Sequence, residues 1–138
     1  MKARIVPLSF KSKNQEFETQ IERIESSFGD LVEVLPPVEL GEEISDDADA
    51  VLLPQLLGEA YQRLEEFQSL SLPVLVVTSE FGTISMWDWE IMEFLRQNGV
   101  ATLGPYDPEQ TRLIFWSLVA RARLRGGKFL MYQDNPGE

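Results

Sequence analysis

Pro73-Val74-Leu75-Val76-Val77, followed by Thr78-Ser79, shows what kind of sheet this chain builds. Its aliphatic residues run on without alternating with polar ones, so both faces of the extended segment are built to be covered. On either side of it, residues 4–8, 31–35, 50–53 and 100–103 carry the same kind of short β-rich run, each followed by turn formers or polar residues. Strands apolar on both sides belong to a parallel sheet with helices on its two faces.

Between the runs the period becomes helical. Phe17, Ile21, Ile24 and Phe28 recur at steps of four, three and four, with Asn14 as expected N-cap and Gly29 as stop. Tyr61, Leu64 and Phe67, continuing to Leu70, form a second helical segment; Trp87, Ile91, Phe94 and Leu95 form a third, closed by Asn98-Gly99. In the fourth, Asp107-Pro108 supplies a cap and a proline for the first turn, and Arg121, Arg123 and Arg125 complement the dipole before Gly126-Gly127. This β-α alternation predicts a three-layer αβα domain of the flavodoxin-like or Rossmann-like kind, with right-handed crossovers and a five-stranded parallel sheet in the order 2-1-3-4-5. The weak unit is 36–49, with two prolines and Glu39, Glu42, Glu43, Asp46, Asp47 and Asp49; a short or irregular helix with a solvated, mobile face is expected there. From Gly127, the run Lys128-Phe129-Leu130-Met131-Tyr132 resembles the entry to a further strand, at the sheet edge or in a following domain. The expected division is therefore a domain over 1–126 and, over 127–138, the start of a following strand or domain, as in a chain cut at a domain boundary.

With 138 residues, 43% of them hydrophobic, the chain can bury one core without staples. It has no cysteine and no histidine, which removes disulfides, the thiolate nucleophile, and the commonest general base and metal ligand. The opening residues 1–13 carry neither a signal-peptide pattern nor a spanning run, so the cytoplasm is the expected compartment. A formal charge of −11 argues against nucleic-acid and membrane partners.

In an open α/β sheet, ligands sit at the carboxyl ends of the strands, where strand order reverses. A phosphoacceptor domain would need an aspartate after the third strand, an acidic pair after the first and a lysine after the fifth; Gln55, Ser9 and Gly104-Pro105 stand there instead. No glycine lies between Met1 and Phe28 to cradle phosphate, and Ser12 and Asn14 are accounted for as helix-start residues. No nucleotide-loop, nucleophile-elbow or metal-spaced motif is present, so no catalytic residue and no metal ligand is named. What remains is the 79–89 loop. Its carboxylate, hydroxyls and two indoles at a strand end have the composition of a sugar-contacting surface. Ser9, Gln55, Glu80, Phe81, Trp87 and Trp89 are the candidate substrate-binding residues. The plainer account is that Asp88 caps a helix, Trp87 belongs to its buried face and Trp89 plugs an interface. The arginines near the fourth helix's end, with Lys128, have the charge of an anion site, but helix-dipole complementarity is sufficient reason for them.

Asp47-Ala48-Asp49-Ala50-Val51-Leu52-Leu53 before an amide-bearing turn, residues 73–77 followed by Glu80 and Gly82, and the exit Gly127-Lys128-Phe129-Leu130-Met131 with Asp134 and Pro136-Gly137 together resemble the N-terminal domain of the L-fucose and L-arabinose isomerase-like proteins. The resemblance spans nearly the whole chain and is one of pattern. It implies a multidomain, homo-oligomeric, cytoplasmic aldose–ketose isomerase that uses a divalent metal such as manganese. Its metal and catalytic carboxylates would reside in later domains, with no cofactor held by residues 1–138. This part would serve as a substrate-enclosing and oligomer-forming surface toward a small sugar. The competing reading is a free-standing module of the same fold that binds a small polar ligand or assembles through an apolar face.

Overall fold

Covered runs do pair as parallel strands. The computed structural model describes residues 2–127. In chain order these form β1 (Ala3–Ser9), α1 (Glu16–Phe28), β2 (Val32–Val34), β3 (Val38–Glu39), β4 (Ala50–Leu53), a 3-10 turn (Gly58–Gln62), α2 (Leu64–Gln68), β5 (Val74–Val76), a second 3-10 turn (Met86–Asp88), α3 (Trp89–Gln97), β6 (Thr102–Leu103) and α4 (Pro108–Gly127). Every strand pair is parallel, and the sheet runs β2-β1-β4-β5-β6. The short β3 pairs with the end of β1, Leu8 opposite Val38 and Ser9 opposite Glu39, past the point where β2 leaves off. The order thus differs from the expected 2-1-3-4-5 by this additional strand.

Each face of the sheet carries its own layer. Val51, Leu53, Val74 and Val76 pack with Phe67 of α2 and Met92 and Leu95 of α3. Ala50, Leu52, Leu75 and Val77 pack on the opposite side with Ile24 and Phe28 of α1 and Phe115, Leu118 and Val119 of α4. Alternate residues of one strand thus feed opposite layers, which is why 73–77 needs no polar position. Removing one such side chain from water contributes roughly 1.5–3 kcal/mol, so a charge at Leu75 would forfeit that contribution and leave an uncompensated charge inside the layer.

The 36–49 segment holds no helix, contrary to expectation. Pro36 and Pro37 favour extended backbone and remove two donors, so the chain continues along β1 as β3 and then turns. Asp49 is not on a solvated face either. It is buried, its carboxylate accepts the Arg4 N–H at 2.7 Å, and its own N–H donates to the Arg4 carbonyl.

The helices differ in detail from their periodic signatures. Asn14 lies two residues before α1, and its Oδ1 accepts the Glu16 N–H at 2.9 Å. The segment 61–70 is divided between a 3-10 turn and the five-residue α2, with Arg63 at the joint. The helix with Ile91 and Leu95 begins at Trp89, and the buried positions are Met92 and Leu95; Trp87 precedes it in a 3-10 turn, so it is not part of that buried face. Gly99, at φ +87°, closes this helix as the sequence predicts. Asp107 Oδ1 accepts the Gln110 N–H at 2.8 Å and caps α4. The strand expected from Gly127 onward lies outside the described residues, except that Gly127 itself, like Gly126, belongs to α4. Among the described residues, no helix is long and apolar enough to cross a membrane.

Candidate functional site

Strand order reverses at β1, whose successors leave in opposite directions toward β2 and β4. The crevice between the ends of β1 and β4 is therefore the default ligand position. In this chain it is bridged by side chains. Gln55, after β4, donates from Nε2 to Asn14 Oδ1 at 2.5 Å and accepts the Asn14 N–H at 3.4 Å. A turn further on, the Glu59 carboxylate accepts the amides of Lys11 and Ser12 and the Ser12 hydroxyl. Arg63 extends the tie: it donates to Glu59, to both oxygens of Glu66, and at 2.7 Å to the Leu40 carbonyl. The Ser12 hydroxyl, ahead of the backbone amides and Arg63, holds the Glu59 carboxyl below its usual range despite the opposing effect of burial. Arg63 is held protonated even more firmly than usual, chiefly by Glu66.

The open cleft lies one strand over, between the ends of β4 and β5. It has a volume of about 270 Å³ and is lined by Glu16 and Gln20 of α1, residues 54–57 after β4, and Thr78, Ser85, Trp87 and Asp88 after β5. Each element positions its share for a local reason. Gln20 is buried, and its Nε2 donates to the carbonyls of Val77 and Ser79 at 2.8 Å each, fixing α1 over the end of β5. The Thr78 hydroxyl accepts the Ser85 N–H at 2.9 Å. Asp88 stands at the N-cap position of α3 but makes no capping hydrogen bond with its side chain. Burial pushes its carboxyl up from the ordinary value, and the Thr78 hydroxyl opposes the shift.

Of the six candidate residues, the structure brings Gln55 and Trp87 to this cleft. Ser9 is buried at the end of β1, where its carbonyl accepts the Leu40 N–H. Glu80 and Phe81 sit at the tip of a self-bonded turn, Phe81 being 71% exposed, and Trp89 is 44% exposed at the start of α3; none of these four lines the cleft. The turn explains their position. Thr78 and Ser79 N–H both reach the Thr83 carbonyl, Ser79 Oγ and Thr83 Oγ1 are 2.7 Å apart, and Thr111 of α4 clamps the Gly82 carbonyl at 2.6 Å. Gly82 has φ +79°, and a Cβ there would press on the Phe28 ring at 3.0 Å, so glycine is required. The loop's hydroxyls are thus largely committed to its own shape.

Sequence reasoning does not single out Thr78, Asp88, Glu16 or Gln20 as site residues. Asp88 carries a signal, a carboxylate between two indoles, but its equal suitability as a cap masks it. Gln20, inside an amphipathic helix, carries none. Among the described residues, no group of three or more acidic side chains could hold a metal ion.

Fold and site together define a parallel α/β domain with a small polar cleft, rimmed by an indole, at the carboxyl edge of its sheet. Comparison with known proteins adds no family: no family model matches the chain, and no curated protein matches it.

Proposed function

We propose that this chain is a flavodoxin-like, cytoplasmic substrate-enclosing domain of a sugar-handling protein of the ketol-isomerase kind, contributing ligand binding and not the chemical step. The observation that carries this reading is Asp88. A carboxylate that is half buried and spared from capping α3 lines the same cleft as two glutamines, Ser85 and the face-forming indole of Trp87. Carboxylates and amides accept and donate to sugar hydroxyls, while an indole covers C–H faces. A volume of about 270 Å³ suits a ligand of monosaccharide size. Any divalent metal, manganese included, would be held by other domains of the parent. Calorimetric titration of the protein with neutral aldoses and ketoses tests the reading. Heat of binding that disappears in Trp87→Ala and in Asp88→Asn is expected; no heat with any neutral sugar overturns it.

A second reading, an assembly module, is favoured by exposed apolar side chains. Phe81, Met86 and Trp87, the last 86% exposed, protrude around the β5–α3 loop, and Leu113, Trp116 and Leu124 lie exposed along α4. Sedimentation equilibrium separates the two. A homo-oligomer that Trp116→Lys dissociates supports assembly through α4; a monomer at all concentrations removes it.

A further inference from the structure

The turn after β1 directs its donors at a carboxylate of its own chain. The amides of Lys11 and Ser12 reach Glu59 at 3.3 and 3.1 Å, the Ser12 hydroxyl reaches it at 2.8 Å, and the Arg63 guanidinium joins from the other side. Successive backbone amides, a hydroxyl and a guanidinium converging on one anion form the donor set with which proteins hold phosphate. The location matches as well, since the first strand-to-helix turn of a doubly wound sheet, at the reversal of strand order, is where ligand phosphates bind. An open hollow of about 620 Å³, lined by Lys11, Ser12, Glu59, Gln62, Arg63 and Glu66, adjoins the cluster.

Charge balance, Arg63 and Lys11 against Glu59 and Glu66, does not by itself account for the backbone amides that converge on Glu59. Arg63 already has a two-pronged partner in Glu66 and a carbonyl partner in Leu40. The second carboxylate is matched instead by the turn's amides and hydroxyl.

We propose that Glu59 is a built-in substitute for a ligand phosphate: it fills the anion cradle of the β1–α1 turn and keeps ligand phosphates out of that cradle. A phosphate approaching the cradle meets occupied donors and the repulsion of Glu59 and Glu66 together. The cradle and the proposed sugar cleft share no lining residue, so the cradle is tested separately from the sugar reading.

Inorganic phosphate is titrated into wild type, Glu59→Gln and Glu59→Ala at constant ionic strength, with the Lys11 and Ser12 amide resonances as readout. In wild type the two resonances stay put. In Glu59→Ala they move, with phosphate affinity raised roughly tenfold or more over wild type, and in Glu59→Gln the gain is smaller because the amide oxygen keeps one acceptor in place. A folded Glu59→Ala with no gain overturns the proposal, as does wild type that binds phosphate at the Ser12 amide equally well. If neither variant folds, acidifying wild type decides. Protonating Glu59, which faces Arg63, Lys11 and Glu66, must let phosphate shift the Ser12 amide; a resonance indifferent to phosphate at every pH where the protein stays folded overturns the proposal. Failure of the neutral-sugar titration with success here leaves Glu59 as an anion substitute and removes only the sugar reading.

Discussion

Two neighbouring crevices at the same edge of the sheet have opposite fates. Between β1 and β4, at the reversal of strand order, Asn14 and Gln55 bond one another and Glu59 closes on the turn above them. Between β4 and β5 the edge stays open, with Asp88 and Trp87 at its border. Backbone topology creates both crevices, but in the first, side chains occupy the donors beside the hollow, and in the second they line the space itself. The closed one is held by charge-assisted bonds around Arg63, whereas the open one is shaped by Gln20 below and the self-bonded 78–83 turn beside it.

The largest expected effect comes from breaking the closed side at its centre. In Arg63→Met the aliphatic stem is kept, but Glu59, Glu66 and the Leu40 carbonyl lose their common donor. Because one donor serves three acceptors, this loss of stability should be the largest of the set, read from the urea midpoint by circular dichroism. A midpoint equal to wild type would mean that the network contributes geometry and no stability. Next in size is Gln20→Leu on the open side. It deprives the carbonyls of Val77 and Ser79 of their side-chain donor and should cost about 1–3 kcal/mol. Because Gln20 lines the cleft, any sugar affinity should fall in the same variant, a loss Arg63→Met should not share.

The contrast also marks how far the sequence could be read. Parallel strands, two apolar layers and the capped start of α4 were legible, because each is written locally as a run, a period or an Asp-Pro pair. The β2–β4 connection was legible only as a weak segment. Its two prolines argued against a regular helix, yet pairing of Val38-Glu39 with the end of β1 depends on a partner distant in sequence. The site was legible in Gln55 and Trp87 and hidden elsewhere for a common reason. Glu59, Gln20 and Asp88 owe their roles to contacts with Ser12, Val77 and Thr78, at separations no periodic pattern encodes.

A smaller effect tests whether the open side is shaped from behind. Thr111 lies fully buried on α4, and its hydroxyl is the clamp on the Gly82 carbonyl. Thr111→Val keeps the shape and removes the donor, so about 1 kcal/mol should be lost. Amide exchange should accelerate within 78–83 while Lys11 and Ser12 keep their rates. Uniform acceleration across both crevices would show that they are not separately held.

Acid should act on the two crevices with opposite sign, and this is the finest test of their difference. Glu59 titrates below its ordinary 4.5 in the folded protein, so its stabilising contribution is fully present above pH 4.5 and is lost as pH falls through the depressed folded value. Asp88 titrates above its ordinary 3.8, so its ionisation is disfavoured by folding: stability declines as pH rises from 3.8 through the raised folded value and stays lower beyond it. Glu59→Gln should therefore flatten the acid limb of the stability curve below pH 4.5. Asp88→Asn should do the reverse, raising stability at neutral pH slightly and leaving it unchanged at about pH 3, where both states are protonated. Chemical denaturation at a series of pH values measures both. If Asp88→Asn lowers neutral stability instead, the carboxylate is a needed acceptor for Thr78, and the open cleft is held together by the very group proposed to greet its ligand.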